Sequence, residues 1–304
     1  MNLRDLQYLI LVADHLSFRK AAQAAHVTQP TLSNQIRKLE QDLGVTLFER
    51  DNRNVAVTPQ AEGIIAEARQ MLRHAETIKD IAAGYHDPLS GTFRLGVIAS
   101  LSPFFSPGLL SQLTQAAPRL SVHLHEGLTQ DLEARLQARQ LDAIITATEP
   151  VESSFVSLPL FREPFLIALP KTHRLAKAER VNVDDLKQDG ILLLEEGHCL
   201  RDQVLPFCRA RGLDDAPLGA SSLMTLIHMV KHGLGVTFLP ATAVTEMADG
   251  CRVKIMQGRP AYRDIRLVVR KNFPRLKAAE LVAATCQSLY KSLSGRNSIK
   301  AGKA

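Results

Sequence analysis

The run Glu195-Glu196-Gly197-His198-Cys199-Leu200-Arg201-Asp202-Gln203-Val204-Leu205-Pro206-Phe207-Cys208 sets two cysteines nine positions apart and surrounds the first with a histidine, an arginine and a turn glycine. A free thiol ionises near pH ~8.5, and a neighbouring cation or a helix N-terminus favours the thiolate, which is the nucleophile. This stretch offers Cys199 both. A helix unbroken from Cys199 to Cys208 would hold the two α-carbons about 13.5 Å apart at a rise of ~1.5 Å per residue. That is roughly twice the ~7 Å limit for a disulfide. Joining the pair therefore requires the stretch between them to unwind. Pro206 predisposes it to break, because an interior proline removes a helix hydrogen bond and clashes with the preceding turn. The segment thus describes a redox switch with a conformational output. Cys251 and Cys286 read as small buried hydrophobes. Two cysteines nine apart beside one histidine do not match a zinc spacing, so no metal and no cofactor are expected.

A scaffold must hold that thiol, and 304 residues suffice for two or three domains. Hydrophobic content of 45% with 22% charged side chains is that of a folded globular chain. Met1 to Ala13 lacks the basic region and cleavage site of a signal peptide, and no run approaches the ~20 apolar residues of a membrane span. A cytoplasmic protein without membrane association is expected, and in a reducing cytosol a disulfide is sensory or catalytic rather than structural. The net charge of +6 does not locate a nucleic-acid face, since residues 1–86 hold ten Lys+Arg against ten Asp+Glu. Individual cations must carry any phosphate contact.

The first sixty residues read as three short helices and a hairpin. Leu6, Leu9, Ile10 and Ala13 recur at helical spacing, as do Phe18, Ala21, Ala22 and Ala25. After the turn His26-Val27-Thr28, Thr28 is an N-cap and Pro30 lies in the first turn of a third helix. That helix is expected to bury Leu32, Ile36, Leu39 and Leu43, leaving Gln29, Pro30, Thr31, Ser33, Asn34, Arg37 and Lys38 on or beside the outer face. Small polar groups there read base edges, while Arg19, Lys20, Arg37, Arg50 and Arg53 neutralise phosphates. Leu47 to Arg50 and Val55 to Thr58 form a wing. Pro59 opens a long helix to about His86, with Ala61, Ile64, Ala68, Met71, Ala75, Ile78, Ala82 and Tyr85 in steps of three and four. Ile64, Ala68, Met71, Ala75 and Ile78 are the residues expected to pair with a second copy; packing on its own domain is the competing use of that face.

Asp87-Pro88-Leu89-Ser90-Gly91 reads as a hinge, and beyond it strands and helices alternate, which predicts an α/β unit with a parallel sheet. The expected organisation is an all-α winged helix-turn-helix over 1–58, a linker helix and hinge over 59–90, and an α/β two-lobed effector domain over 91–304. Its first lobe is expected at 91–163 and 269–304, its second at 164–268, with a cleft between them.

Phe18-Arg19-Lys20-Ala21-Ala22, Val27-Thr28-Gln29-Pro30-Thr31-Leu32-Ser33, Ile36-Arg37-Lys38-Leu39-Glu40 and Leu43-Gly44-Val45-Thr46-Leu47-Phe48-Glu49-Arg50 resemble the N-terminal domain of LysR-type transcriptional regulators. The likeness runs through the linker helix and the two-lobed domain, whose architecture in that family is similar to periplasmic binding proteins. Gly197 to Gln203, with Phe207-Cys208, is similar to the members of that family that sense hydrogen peroxide. The resemblance implies that Cys199 is the peroxidatic thiolate and Cys208 its resolving partner, with His198 and Arg201 stabilising the thiolate and Asp202 orienting the site. It places Ser100, Thr129 and Arg263 around the peroxide, although threonine is expected where Ser100 stands and a carboxylate where Thr225 stands. It further implies a homotetrameric activator of oxidative-stress genes that binds promoter DNA and contacts RNA polymerase when oxidised, and that is not an enzyme. Two other readings remain open on the residues alone. One is a regulator responding to a small metabolite in the cleft without thiol chemistry, and the other is a thiol peroxidase with turnover.

Overall fold

The computed structural model describes residues 1–50, 55–150, 152–213, 215–247, 250–258 and 261–301. The chain divides into two units, Met1–Ala82 and Ala83–Ala304.

In the first unit, α1 (Leu3–His15) begins at a capping box in which the Asn2 side chain accepts from the Arg4 and Asp5 amides and Asp5 answers the Asn2 amide. Helix α2 (Phe18–Ala24) presents Ala21 and Ala22, small enough to let the third helix approach. Helix α3 (Gln29–Leu43) starts at the Thr28 cap and stops at Gly44, whose φ of 67° is the left-handed conformation that glycine adopts without strain. Leu32, Ile36 and Leu39 are buried with Leu6, Leu9, Val12 and Phe18, each worth roughly 1.5–3 kcal/mol of transfer free energy. Leu43 departs from expectation: it is exposed, because it is the last helical residue and lies past the end of that core. Strands β1 (Phe48–Arg50) and β2 (Val55–Val57) pair antiparallel as the wing. Thr58 then caps α4 (Pro59–His86), its Oγ1 accepting the Ala61 amide at 3.2 Å.

In the second unit the alternation is β3 (Gly91–Ile98), α5 (Ser102–Ala116), β4 (Leu120–Gly127), α6 (Thr129–Gln137) and β5 (Ala143–Thr146). Then come β6 (Phe155–Pro170), β7 (Arg180–Val181), β8 (Ile191–Leu194), α7 (Cys199–Arg209), β9 (Asp215–Ala220), α8 (Leu223–Lys231), β10 (Thr237–Pro240), β11 (Cys251–Met256), β12 (Tyr262–Arg270) and α9 (Leu276–Ala301). The main sheet runs β4-β3-β5-β12-β6-β11-β7, with β10 also on β6, and β8 pairs with β9 apart from it. The expectation of a parallel sheet holds for β3, β4 and β5, for β7 against β11, and for the separate pair β8 and β9. Strand β12 is antiparallel to both β5 and β6, so the sheet is mixed.

Strand β6 is a single 16-residue element whose first part pairs with β12 and whose second part pairs with β10 and β11. It carries the chain from one lobe to the other, and β12 brings it back. Pro159 and Pro164 disguise its first half as a loop. Pro159 lies opposite Arg266, next to the point where the β6/β12 register shifts between Ile265 and Arg266, a place where a missing amide donor is tolerated. Because β12 zips onto β5, Ile265, Leu267 and Val268 pack in the first-lobe core with Phe93, Leu95 and Ile144. The second lobe therefore ends earlier than the expected residue 268. Its own core gathers Ile167, Leu169, Leu192, Leu226, Ile227 and Phe238.

Residues 87–91 are not a loose hinge. The Arg275 guanidinium donates to the carbonyls of Thr92 and Ser90, and Arg119 pairs with Asp87 at 2.8 Å. A segment rich in turn residues is here buckled to the effector unit by a buried arginine.

Candidate functional site

Cys199 is the first residue of α7, and His198 is its N-cap. The strand β8 ends at Leu194, and Gly197, at a φ of 90°, turns the chain into the helix. A Cβ there would stand 3.2 Å from the Leu128 side chain, so the turn is pressed against the other lobe. The amides of the first helical turn and the positive end of the helix dipole face a charge placed at Cys199.

Gly197, His198 and Cys199 form one wall of a cleft whose other wall is Ile98, Ala99, Ser100, Gly127, Leu128 and Thr129. The space between them is about 160 Å³ and too narrow in this conformation for a water-sized sphere. Thr129 is the first residue of α6, and its Oγ1 is buried without a hydrogen-bond partner. A buried hydroxyl left unsatisfied costs about 1–3 kcal/mol, a cost that a small polar guest with donors and acceptors removes. Ser100 Oγ accepts from Arg263 Nη1 at 2.8 Å. Arg263 thus reaches the cleft through Ser100, and it is itself paired with Glu163, both side chains fully buried.

The two thiols belong to different cores. Cys199, 6% exposed, packs in the first-lobe cluster, whereas Leu200, Val204 and the fully buried Cys208 pack in the second. Helix α7 runs without a break between them, Pro206 included. The proline sits inside the helix, and the turn beyond it closes normally, Ala210 N–H donating to Pro206 O at 3.0 Å. At ~1.5 Å per residue the helix keeps the α-carbons about 13.5 Å apart. A strap crosses the lobes at its middle: Gln203 Nε2 donates to Ala147 O at 2.8 Å, while Gln203 Oε1 is buried with no partner.

Two expected site residues lie elsewhere. The Arg201 guanidinium donates to Leu194 O at 2.9 Å, fastening the helix to β8, and Asp202 is exposed in the first turn of α7. Neither lines the cleft. Glu163, Gln203 and Leu128 were not singled out by the sequence. Glu163 meets Arg263 across the β6/β12 ladder, a pairing between positions 100 apart that no local pattern announces. Cys286 and Cys251 are buried, and burial pushes both thiols up, with Lys231 opposing the shift in part at Cys251. Neither is poised to ionise. Among the described residues there is no cluster of three or more His, Cys, Asp or Glu side chains that could hold a metal, and no helix long and apolar enough to cross a membrane.

On α3, Gln29, Pro30, Thr31, Asn34, Arg37 and Lys38 are exposed and Ser33 is half-buried, opposite the buried Leu32, Ile36 and Leu39. Arg19 and Lys20 are exposed on α2. Arg50 ends β1, and Arg53 lies outside the described residues. Along α4 the expected seam splits in two. Ala61, Ile65 and Ala68 are buried in the first unit's own core, Ile64 packs at its edge, and Ala75 is half-buried. Met71 is 45% and Ile78 68% exposed, so the apolar face continues beyond what its own unit covers.

Residues 3–62 match the model for the bacterial regulatory helix-turn-helix of the lysR family, and residues 86–290 match the LysR substrate binding domain. The chain belongs to the LysR family of transcriptional regulators. It is 41% identical over 278 residues to a hydrogen peroxide-inducible genes activator of Dickeya chrysanthemi, covering 90% of this chain and 91% of that one. Among solved structures it is similar to a full-length OxyR variant of Pseudomonas aeruginosa, with a TM-score of 0.70 at 35% identity over 94% of this chain and 95% of that one. It is also similar to a mutant Corynebacterium glutamicum OxyR in its H2O2-bound form, with a TM-score of 0.68 at 29% identity over 98% and 95%.

Proposed function

We propose that this protein is a DNA-binding transcriptional regulator that senses hydrogen peroxide through a reversible Cys199–Cys208 disulfide and thereby controls oxidative-stress genes. The observation that carries the reading is the division of α7: its first residue is a thiol in a polar cleft of one lobe, and its second thiol is locked in the core of the other. The Cys199 thiolate attacks one peroxide oxygen, the O–O bond breaks, and hydroxide leaves, giving a sulfenic acid. The Cys208 thiol then displaces water from that sulfur and closes the disulfide. A bond with a ~7 Å reach between α-carbons cannot form across an intact α7, so closure unwinds the helix and draws Cys208 and its neighbours from the second-lobe core. Thr129 and Ser100 hold the peroxide, and Arg263 supports Ser100 from behind.

The output runs to promoter DNA, read by the outer face of α3 with Arg19, Lys20, Arg50 and Arg53 on phosphates. Copies assemble through the uncovered part of α4 around Met71, Ala75 and Ile78, first as dimers and then as tetramers, and respacing of their recognition helices changes the contacted half-sites by multiples of ~10.5 bp. The oxidised form engages RNA polymerase in the cytoplasm. The names of the relatives support this reading, as does the peroxide held by the Corynebacterium neighbour.

The test is mass spectrometry of the full chain after peroxide treatment, in which a Cys199–Cys208 link is expected and Cys251 and Cys286 stay reduced. Cys199→Ser is expected to keep DNA binding and lose the peroxide response altogether, and Cys208→Ser to stop at a trappable sulfenic acid. A Cys199→Ser protein that still answers peroxide in a promoter assay would end the proposal.

A further inference from the structure

Directly behind the cleft wall, Glu163 and Arg263 form an ion pair with no side-chain exposure at all. Arg263 Nε donates to Glu163 Oε1 at 2.7 Å, and Nη2 lies 2.7 Å from the same oxygen. The other carboxylate oxygen, Oε2, accepts the Thr242 amide at 3.0 Å. Both oxygens are therefore committed, and the carboxylate is clamped between β6 and the segment after β10. The free edge of the guanidinium points across to the first lobe, Nη1 donating to Ser100 Oγ at 2.8 Å and Nη2 to Ser100 O at 3.5 Å.

A serine hydroxyl that accepts a hydrogen bond still has its own proton to give. Among the described residues Ser100 Oγ has no second partner, and Ser100 stands in the cleft wall facing Cys199. Its proton is thus available to the cleft, and the cation bonded to its oxygen makes it a stronger donor than an isolated hydroxyl.

We propose that Glu163 is a positioning residue for peroxide reduction: it orients Arg263 so that Ser100 is held as a hydrogen-bond donor to the departing oxygen. The proposal rests on the reading of Cys199 as the peroxidatic thiol. In that step a sulfur–oxygen bond forms, the O–O bond breaks, and its electron pair leaves on the far oxygen as hydroxide; the sulfur is oxidised by two electrons and the peroxide reduced. Negative charge grows on the far oxygen as the bond breaks, and donors aimed at developing charge in a dry site are effective stabilisers. Glu163 touches none of the reacting atoms. A glutamine in its place has one acceptor oxygen and cannot serve both Arg263 and the Thr242 amide, so it frees the guanidinium to shift while keeping the size of the side chain.

The experiment uses the full chain carrying Cys208→Ser, so that the sulfenic acid persists, and compares the second-order rate of Cys199 with hydrogen peroxide against its rate with iodoacetamide, which alkylates the thiolate without breaking an O–O bond. Glu163→Gln is expected to slow the peroxide reaction roughly 10- to 100-fold and to leave alkylation within about twofold, since only the first reaction uses the Ser100 donor. Ser100→Ala is expected to show the same split, and Glu163→Gln combined with Ser100→Ala to react no more slowly than Ser100→Ala alone. Equal losses with both reagents, or losses that multiply in the double variant, would mean that Glu163 serves only the fold and would overturn the proposal. Should Glu163→Gln fail to fold, Glu163→Asp, which keeps the charge and shortens the anchor, carries the same comparison with a smaller split expected. If the Cys208→Ser parent itself forms no sulfenic acid with peroxide, the sensor reading falls and this proposal with it, an outcome distinct from a reactive parent with an indifferent Glu163 variant.

Discussion

Helices α3 and α7 are of similar length, 15 and 11 residues, and opposite construction. Helix α3 has a hydroxyl cap at Thr28, a proline in its first turn, a left-handed glycine at its end, and three large residues buried in one continuous core. Helix α7 has no side-chain N-cap, a proline in its interior, an orphaned Gln203 Oε1, and its buried residues shared between two cores. One helix must keep a single shape against DNA, and it collects the local stabilisers. The other must give way for two sulfurs to meet, and it lacks them. Local opening free energies span a wide range within one native protein, and a helix that lacks these stabilisers is expected at the low end.

The contrast breaks first at α3 if it breaks at all. Leu32→Ala removes a fully buried side chain from a small unit and should cost about 3 kcal/mol, within the usual span for leucine truncation. Denaturant titration should show the first unit melting early, with DNA binding lost and peroxide-driven disulfide closure unchanged. Slower closure in this variant would mean that the two helices are not independent. Pro206→Ala tests the other side. Alanine restores the missing backbone hydrogen bond and is the better helix former, but it also loosens the unfolded segment, so the net gain in α7 should be at least about 1.4 kcal/mol. That is a roughly tenfold slower passage from sulfenic acid to disulfide, read as a larger trapped fraction in a time course. Closure at the parental rate would show that helix opening does not limit the switch.

How much of this contrast the sequence disclosed depends on distance along the chain. The α3 stabilisers sit within a few residues of one another, so Thr28, Pro30 and the leucine spacing were legible. The exposed Leu43 was not, because where a core ends is a tertiary fact. Around α7 the thiol, its neighbouring histidine and the helix start were legible, and so was the need to unwind. The continuity of the helix through Pro206 was not, since burial of Val204 and Cys208 outweighs a local propensity. Least legible were the groups reached from afar: Glu163 behind Arg263, Ala147 O under Gln203, and Arg275 on residues 88–92. The same holds for α4, where the start of one apolar stripe is taken up by the first unit's own core while Met71 and Ile78 stay exposed.

The smallest expected effect is the sharpest test of whether capping matters to the contrast. Thr28 Oγ1 accepts the Thr31 amide at 3.4 Å and is hydrogen-bonded to the Thr31 hydroxyl at 2.8 Å. Because the amide contact is long, Thr28→Ala should cost about 0.5–1 kcal/mol, the lower part of the capping range. The loss falls on the first turn, which carries Gln29, Pro30 and Thr31 toward DNA, so affinity should drop a few-fold at fixed salt while closure of the disulfide is untouched. Thr28→Ser, which keeps the oxygen and drops the methyl, should restore both stability and affinity. If the alanine variant binds and melts like the parent, the cap contributes nothing, and the difference between the two helices reduces to how many cores each is anchored in.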